Sequence, residues 1–311
     1  MSKIYVIGGA NIDIQGYSHQ PLMFQDSNVG NVSYSFGGVA RNIAENLVLL
    51  QNDVSFVSAI GQDLFGDDMY NYCQSIGMDL TYCVRPECNS SIYLAIMDNK
   101  NDMTLAINDM GILKNIDIDL LKKVFKNIKK DDVMVMDTNL EESIITYMLE
   151  NCPCPIYLDP ISSTKAKKAI LHLSHVHMLK PNRLEAETMS GIFLGSKENY
   201  VKCLDYFLSQ GVNEVVISLG KEGVIAANKQ KKYWLRHAFV PMKNATGAGD
   251  AFLAGFVHQA VKNNDFISCV KCAIASAIIN VQSVYTVSEK MFITEIEKVL
   301  ETVEMEIEEI C

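Results

Sequence analysis

The sequence lacks the features that would assign it to a membrane or to nucleic acid. No apolar run approaches the roughly 18 residues of a membrane-spanning helix, and lysine and arginine form no basic patch. The formal net charge of the 311 residues is −10, which argues against nucleic acid as a general partner. We therefore expect neither kind of partner, and a small pre-formed site for a small molecule instead.

A secretion signal and a disulfide framework are also missing. The first residues, MSKIYVIGGA, begin a strand-like run without the apolar core of a signal peptide. The nine cysteines follow no repeating spacing, so we expect reduced thiols and a cytoplasmic location. Cys152 and Cys154 flank a proline, and Cys269 and Cys272 are three apart in an apolar stretch. Core packing is favoured for both pairs, with redox or metal chemistry as the alternative.

Two common nucleotide-binding fingerprints do not occur in the chain. There is no G-x-x-x-x-G-K-[ST] loop, and VIGGANID after the first strand-like run lacks G-x-G-x-x-G. The first absence excludes a Walker-type site, and the second disfavours a Rossmann dehydrogenase. A phosphate site in this chain must use a different loop.

What the sequence does contain is a regular alternation of two patterns. The β-branched, strand-like runs are 3–9, 53–61, 132–137, 155–160, 175–181 and 214–220. The amphipathic, helix-like stretches between them include 40–51, 66–76, 141–151, 183–190 and 197–210. This alternation predicts an α/β fold with a mostly parallel central sheet and helices on both faces. Ligands of such sheets bind at the carboxyl ends of the strands.

Two segments interrupt the alternation. Residues 14–36 are polar and turn-rich, and residues 88–110 alternate like paired strands. We interpret them as an antiparallel excursion that forms a small β-strand lid. The acidic tail at 295–310 has the pattern of an amphipathic helix with a solvated face. Since there is no repeat or linker, the sequence predicts one domain over 1–311 with this lid.

The most specific motif is NATGAGDAFLAGF at 244–256. Small residues at Gly247, Ala248 and Gly249 permit a tight turn. The helix that we expect to begin near 250 directs its unpaired N–H groups into that turn, which can then hold phosphate charge. Asp250 beside the turn could accept a proton from an attacking hydroxyl. The alternative is that Asp250 only caps the helix.

Two glycine-containing segments nearer the start carry groups suited to a sugar. Carboxamides and a carboxylate bind vicinal hydroxyls, and paired glycines would let the backbone close over a sugar ring. These groups are Asn11 and Asp13 in GGANID (8–13), and Gly37, Gly38 and Asn42 in GGVARN (37–42). Ordinary turn chemistry is the alternative for each segment.

Three further segments contain polar groups with more than one interpretation. In LKPNRLEAE, Asn182 and Glu185 are three apart and share a face, which suits a hydrated Mg²⁺. Helix capping by Asn182 is the alternative. SLGKEGV (218–224) could lie under a nucleotide, although alone it is only a hairpin signal. For the histidines of HLSHVH (172–177), surface or packing roles are favoured over zinc.

In this order along the chain, the clusters resemble the ribokinase-like (PfkB) carbohydrate and nucleoside kinases over essentially the whole length. GGVARN is similar to the first signature of that family, NATGAGDAFLAGF to the second, and KPNRLEAE to its N-x-x-E magnesium motif. IGGANIDIQGYS, TLAINDM and YLDPISSTKA resemble the pseudouridine kinases within it. The resemblance implies the three-layer ribokinase-like fold and ATP-dependent phosphorylation of the 5′-hydroxyl of pseudouridine.

The resemblance also implies roles for individual residues. The catalytic group comprises the general base Asp250 and the N–H groups of Gly247, Ala248 and Gly249. The substrate group comprises Asn11, Asp13, Gly37, Gly38 and Asn42 around the ribose, with Asn108 and Asp109 approaching the base. The ATP group comprises Asn182, Ser218, Gly220, Gly223 and Asn280, and Asn182 and Glu185 position a hydrated Mg²⁺.

One departure from the family and two alternatives accompany these expectations. The second signature usually begins Asp-Thr, where this chain has Asn244 and Ala245, so a monovalent-cation site is doubtful. A kinase for ribose or another nucleoside is the nearest alternative, and a non-catalytic sugar- or nucleotide-binding regulator is the alternative from another class. The intact Asp250 and its glycine turn argue against a regulator. Some relatives form homodimers through the lid strands, which makes a homodimer one expectation here.

Overall fold

The computed structural model describes residues 2–100 and 102–311. Their strands are β1 (Ile4–Ile7), β2 (Asn11–Ser18), β3 (Gly30–Gly37), β4 (Val54–Val57), β5 (Ile92–Met97), β6 (Met103–Asp109), β7 (Val133–Asp137), β8 (Ile156–Asp159), β9 (Met178–Leu179), β10 (Glu214–Ser218), β11 (Val224–Asn228), β12 (Lys232–His237) and β13 (Met305–Glu309). Their α-helices are α1 (Val39–Leu49), α2 (Leu64–Ser75), α3 (Ile118–Phe125), α4 (Glu142–Asn151), α5 (Ser163–Ala166), α6 (Arg183–Ser190), α7 (Lys197–Ser209), α8 (Ala248–Ala260), α9 (Phe266–Val281) and α10 (Ile293–Thr302).

Nine of these strands form the central sheet, in the order β13-β12-β11-β10-β9-β8-β7-β1-β4. The strands from β10 to β4 in this order are parallel, and β11, β12 and β13 add an antiparallel edge. Every residue of β1, β4, β7 and β8 is buried. Their continuous apolar runs follow from this position, because strands of a parallel sheet are covered on both faces. The prediction of a mostly parallel sheet is confirmed.

Helices cover both faces of this sheet, as predicted for a three-layer α/β fold. One apolar cluster lies between the sheet and α1, α2, α8, α9 and α10, and contains Phe56 and Phe256. The other lies between the sheet and α3, α4, α6 and α7, and contains Met148 and Phe207. Among the described residues, no helix combines the length and the apolar character that crossing a membrane requires.

The lid is a separate four-stranded sheet in the order β3-β2-β5-β6. β2 pairs with β3, and β5 with β6, in antiparallel fashion, but β2 and β5 are parallel. The prediction of a purely antiparallel excursion is therefore wrong in one pairing, because the first strands of the two hairpins lie side by side and run in the same direction. β2 begins at Asn11, so the lid itself contains Asn11 and Asp13.

The tail differs from the single helix that its acidic pattern predicts. α10 ends at Thr302, and Met305–Glu309 forms β13, which pairs with β12. Apolar and acidic residues alternate with a period of two in this stretch, which is a strand pattern. β13 also covers the edge that β12 would otherwise leave open, and Arg236 of β12 pairs with Glu306 at 2.6 Å. The helix prediction is wrong beyond Thr302.

The cysteine pairs belong to packed regions. Cys269 and Cys272 are buried in α9, in agreement with a packing role. The Sγ atoms of Cys152 and Cys154 are 3.6 Å apart, and both residues are free thiols. Within the described ranges, no three or more His, Cys, Asp and Glu side chains are grouped so that they could hold a metal ion. The structure therefore gives no support to the metal alternative for these residues.

His258, on the last turns of α8, is buried between two polar neighbours. Its Nε2 lies 2.8 Å from Nζ of Lys262, and its Nδ1 faces the amide of Asn52, at 3.0 Å from Nδ2 and 3.2 Å from Oδ1. An ammonium group only donates, so Nε2 accepts from it and the neutral ring must carry its hydrogen on Nδ1. Burial, followed by the charge of Lys262, lowers the pKa of His258 to about 4.

We predict that His258 makes the protein less stable in acid. The unfolded chain takes up a proton near pH 6.5, whereas the native ring resists protonation until about pH 4, so the free energy of unfolding falls as the pH falls between these values. Between pH 7.5 and pH 5 the expected loss is about 2 kcal/mol. Other groups, such as Asp250, titrate in both proteins, so the test is the difference between them: in urea unfolding over this range the wild type should lose about 2 kcal/mol relative to His258→Gln, which cannot titrate. The same pH dependence in both proteins would show that His258 does not contribute.

Candidate active site

Charged side chains meet at the carboxyl ends of the central strands, where ligands of parallel sheets bind. Asp159 ends β8 and Lys180 follows β9. Nζ of Lys180 lies 2.7 Å from Oδ2 of Asp159, and both side chains are buried. Burial lowers the pKa of Lys180, but the carboxylates of Asp159, Asp250 and Glu185 outweigh this effect, so the pKa is raised overall. The ammonium group is therefore charged and is surrounded by acidic groups from several elements.

The turn before α8 depends on one glycine. Gly247 has a φ of 78°, and an added Cβ would lie 2.0 Å from the carbonyl oxygen of Thr286. α8 begins directly after it, at Ala248, and the N–H groups of a first turn have no partners within the helix. Nζ of Lys180 is 2.8 Å from the position that a Cβ on Gly249 would take. The N–H of Ala248 donates a long hydrogen bond of 3.4 Å to the carbonyl of Ala245, and the remaining N–H groups of the turn, together with the buried ammonium group, suit it to negative charge.

Asp250 lies inside the first turn of α8 and is not its cap. Gly247 is the N-cap residue, and no side chain makes a capping hydrogen bond there, so the interpretation of Asp250 as a plain cap is wrong. Oδ2 of Asp250 instead accepts a hydrogen bond of 2.7 Å from Nδ2 of Asn42. Burial, followed by the carboxylate of Asp159, raises the pKa of Asp250 to about 7. A carboxyl group with a pKa near neutrality is suited to general base catalysis.

The sugar-binding candidates lie together where the lid joins the central sheet. Nδ2 of Asn11 donates a hydrogen bond of 2.6 Å to Oδ1 of Asp13. Gly37 allows Asp13 to approach the backbone, since a Cβ on Gly37 would lie 2.2 Å from Oδ2 of Asp13. Gly38 is the N-cap of α1, and Asn42 lies on the first turns of that helix. The structure thus brings the segments at 8–13 and 37–42 to one place, and the bond from Asn42 to Asp250 links them to the turn at 247–249, which we call the anion turn.

Asp137 belongs to none of the sequence motifs, yet its carboxylate holds the backbone around the sugar-binding candidates. Its fully buried carboxylate accepts hydrogen bonds from the backbone N–H groups of Gly9 (2.9 Å), Ala40 (3.1 Å) and Asn139 (2.8 Å). Gly9 leads into β2 and Ala40 follows β3, so one carboxylate connects both ends of the first lid hairpin to the central sheet. A signal for it exists in the sequence, because the apolar run VMVMD ends in an aspartate just as IYLD does.

Asn182 and Glu185 form a capping box at the start of α6. Oδ1 of Asn182 accepts from the N–H of Glu185 at 2.9 Å, and Oε2 of Glu185 accepts from the N–H of Asn182 at 2.9 Å. Burial, followed by the carboxylate of Asp159, raises the pKa of Glu185. The acidic groups that act on the ammonium of Lys180 are Asp159, Asp250 and Glu185. This excess of negative charge can be balanced by a hydrated divalent cation.

The candidates for the nucleotide lie at the neighbouring edge of the sheet. Ser218 ends β10, and its N–H donates to the carbonyl of Pro181 at 3.1 Å, which places it beside Asn182. Gly220 and Gly223 follow in the turn into β11. These residues border the same end of the sheet as the anion turn.

Asn280, which the resemblance assigns to the ATP group, lies near the end of α9. It is fully buried in α9. Its Nδ2 donates to the carbonyl of Thr246 at 3.0 Å, and its Oδ1 accepts from the N–H of Ser288 at 3.1 Å. Both ends of the amide make hydrogen bonds within the protein, and the contact with the nucleotide stays a prediction. Asn280 supports the loop that precedes the glycine turn.

Strand register places a row of side chains across one face of the lid. The row contains Ser35 of β3, Asp13 of β2, Tyr93 of β5 and Asn108 of β6. Asp109 is adjacent to Asn108 in a strand and therefore lies on the opposite face, where its Oδ1 accepts from the N–H of Gly111 at 3.1 Å. The expectation that both residues approach the base is wrong for Asp109. We call the face that carries Asp13 and Asn108 the inner face of the lid.

A cavity of about 910 Å³ opens between the inner face and the loop at 284–289. Its lining includes Asp13, Gln15 and Tyr17 of β2 and Ser33 of β3. Gln15 and Tyr17 were not singled out by any motif; the period-two alternation from Asp13 is the signal that could have found them. The cavity continues along β2 from the candidate sugar-binding groups, and it has room for another ring beside a sugar ring.

Comparisons with known proteins agree with this geometry. The family described as pfkB family carbohydrate kinase matches residues 1–291. The pseudouridine kinase of Escherichia coli strain K12 is 36% identical over 304 residues, which cover 97% of this chain and 97% of the relative. A carbohydrate kinase from Agrobacterium tumefaciens superposes with a TM-score of 0.82 at 24% identity, over 98% of this chain and 100% of its own. The ribokinase of Arabidopsis thaliana, solved with ribose and ATP, superposes with a TM-score of 0.79 at 19% identity, over 97% and 99% of the two chains.

The fold and these matches define the class of protein as an ATP-dependent phosphotransferase of the ribokinase-like fold. The chain belongs to the pfkB family of carbohydrate kinases. The expectations of fold class, family and enzyme class are therefore confirmed, and the interpretation as a non-catalytic regulator is set aside. The acceptor and the roles of individual residues belong to the proposal that follows.

Proposed function

We propose that the protein transfers the γ-phosphoryl group of ATP to the 5′-hydroxyl of pseudouridine. The observation that carries this proposal is the buried carboxylate of Asp250, which Asn42 holds beside an anion-binding turn and next to the sugar-binding groups. Whole-length similarity to a pseudouridine kinase supports the choice of acceptor. The cavity beyond Asp13 supports a nucleoside over a free sugar, because it has room for a base.

In this mechanism Asp250 accepts the proton of the 5′-hydroxyl as the hydroxyl oxygen attacks the γ-phosphorus. The bond from the γ-phosphorus to the bridging oxygen breaks, and ADP leaves with that oxygen. The N–H groups at 247–249 and the ammonium of Lys180 stabilise the negative charge on the phosphoryl oxygens. Asn11 and Asp13 hold the ribose hydroxyls so that the attacking oxygen is in line with the bond that breaks.

We further propose that ATP lies along Ser218, Gly220 and Gly223, with a hydrated Mg²⁺ near Asn182 and Glu185. The charges fit such an ion, because buried carboxylates outnumber buried ammonium groups around Lys180. The capping box uses both polar ends of this pair, so contact through water suits it better than direct ligation. When bound, the ion would neutralise charge on the phosphates.

Glu185→Gln is expected to raise the Mg²⁺ concentration for half-maximal activity by about tenfold, since it removes one charge but keeps the shape of the capping residue. Magnesium titrations at saturating pseudouridine and a fixed ATP concentration measure the effect. Glu187→Gln is the matched control on the same helix, where the carboxylate bonds the N–H of Leu194 at 2.8 Å. Identical titration curves for the two variants and the wild type would limit Glu185 to capping.

Recognition of the base is proposed to come from the inner face of the lid. Pseudouridine has a carbon–carbon glycosidic bond, which leaves a free ring N–H where uridine is substituted. Asn108 carries an amide oxygen on the inner face that can accept from this N–H. Oε1 of Gln15, which already accepts from the hydroxyl of Tyr17, is the second candidate. A site with such an acceptor rejects an analogue that lacks the N–H, because the acceptor is then left unpaired.

An acceptor panel tests the proposed function. ADP release is measured with pseudouridine, uridine and ribose at matched concentrations below saturation, with ATP and Mg²⁺ present. We expect pseudouridine to have the highest kcat/KM, uridine a clearly lower value, and ribose the lowest. If ribose or another nucleoside exceeds pseudouridine, the acceptor assignment fails, while membership of the kinase family is unaffected.

Three further expectations remain proposals. Nδ2 of Asn244 donates to the carbonyl of Val284 at 3.2 Å, and its Oδ1 accepts from the N–H of Thr246 at 2.9 Å. The amide of Asn244 is uncharged, and both of its polar ends are used in these bonds. We therefore propose that activity does not depend on a monovalent cation. The outer face of the lid exposes apolar side chains such as Leu105 and Ile107, and we propose that a second copy of the chain covers it. Free thiols support a reducing, cytoplasmic location.

A further inference from the structure

Arg41 is buried at the start of α1, between the lid and the site of Asp250. Only 2% of this residue is exposed. Its Nε donates to the carbonyl of Gly37 at 2.9 Å, and its Nη2 donates to the carbonyl of Phe36 at 2.8 Å. Nη1 bonds the carboxylate of Glu45 one helical turn away, and Nη2 also bonds Oδ1 of Asn42. These partners hold the guanidinium group in one position.

The bond from Arg41 determines which way the amide of Asn42 points. A carboxamide has one accepting oxygen and one donating nitrogen, while a guanidinium group only donates and an ionised carboxylate only accepts. With the oxygen of Asn42 held by Arg41, its nitrogen must face the carboxylate of Asp250, which it reaches at 2.7 Å. The opposite orientation would break both hydrogen bonds at once.

We propose that Arg41 is a positioning residue that keeps the amide of Asn42 in the orientation that donates to Asp250. This inference rests on the proposed role of Asp250 as the general base. Without Arg41, the amide can turn over and present its oxygen to Asp250, so that two acceptors face each other. The ionised form of Asp250, which is the form that accepts the proton, then loses its hydrogen bond.

Other charged groups also face Asp250, and the test must leave them in place. They are Asp137 at the end of β7, Asp159 at the end of β8 and Lys180 after β9. None of them contacts Arg41 among the described hydrogen bonds and ion pairs. A change at Arg41 therefore acts on Asp250 through Asn42.

The test is the pH dependence of kcat/KM in Arg41→Met. In the wild type, activity rises with pH through the pKa of Asp250, near 7, because only the deprotonated carboxylate can act as a base. Loss of a hydrogen bond to this carboxylate raises the pKa, so the acid limb should move up by about one pH unit. Activity at pH 6 should then fall about tenfold relative to the wild type, while activity at pH 9 stays close to it.

Two further variants separate positioning from simple destabilisation. Met148→Ala removes buried volume in α4, far from these residues, and should lower stability without moving the acid limb. Arg41→Lys keeps a cation beside Glu45 but loses the fork of donors, so the acid limb of its pH profile should also shift. This variant serves as the test if Arg41→Met does not fold. In an Asn42→Ala background, Arg41→Lys should cause no additional shift, since the two residues act in series.

The possible outcomes distinguish this inference from the proposed function. An acid limb that stays in place in both Arg41 variants, together with an inactive Asp250→Asn, overturns the positioning role and leaves the general base intact. Full activity in Asp250→Asn overturns the general base itself. A shift of the limb that is equally large with and without Asn42 would show that Arg41 acts by another route.

Discussion

Asp250→Asn is expected to lower kcat by about 10²- to 10⁴-fold, which is the usual cost of removing a general base. The new amide has nearly the same shape and can still present its oxygen to Asn42, but it cannot take up the proton of the 5′-hydroxyl. The variant should fold with a Tm at or above that of the wild type at neutral pH. The reason is that burial disfavours the ionised carboxylate, as its raised pKa shows. ADP release with pseudouridine measures the first effect and thermal unfolding the second.

The matched control is the same substitution at an aspartate that does cap a helix. Asp265 is the N-cap of α9, and its Oδ1 accepts from the N–H of Ser268 at 3.1 Å. Asp265→Asn should keep kcat and change stability little, because asparagine is also a good N-cap. Near-normal turnover in Asp250→Asn would mean that the carboxylate is not the base.

Lys180→Met is expected to lower kcat by about 10²- to 10³-fold and to reduce the free energy of unfolding by about 3–5 kcal/mol. The substitution removes the buried cation beside Gly249 and leaves the carboxylate of Asp159 unpaired in the interior. It also raises the pKa of Asp250, since Lys180 is one of the groups that lower it. Turnover at saturating ATP and urea unfolding measure the two losses.

A double variant separates the two roles of Lys180. Adding Asp159→Asn to Lys180→Met removes the uncompensated charge, so most of the lost stability should return. Activity should not return, because the cation beside the anion turn is still missing. Recovery of both stability and turnover in the double variant would show that Lys180 serves only to neutralise Asp159.

The turn before α8 and the proposed sugar-binding groups are predictable from sequence because each depends on a short local segment. Asp250 follows three small residues at a helix start, and Asn11 and Asp13 follow a strand directly. Asp137 and Lys180 are different, since their places follow from the neighbouring positions of β7, β8 and β9 in the sheet. No local pattern states which strands are neighbours, so the convergence of these charges appears only in the fold.

The lid shows a second limit of local reasoning. Asn108 and Asp109 look like a pair in the sequence, but the strand places consecutive side chains on opposite faces. The alternation was available in TLAINDM and predicts this separation once the segment is treated as a strand. The orientation of the amide of Asn42 was not available, because it depends on Arg41 and Asp250, which are far apart along the chain.

The bonds of Asp137 have a mechanical consequence for the lid. The N–H groups of Gly9 and Ala40 stand at the two ends of the β2–β3 hairpin and bind one carboxylate of the central sheet. The base of the hairpin, near Asp13, is therefore tied to the central sheet, whereas Tyr17 lies farther from this anchor. Under the proposed function, we expect the ribose end of the site to be the rigid end, and any rearrangement on binding to be largest where the base would lie.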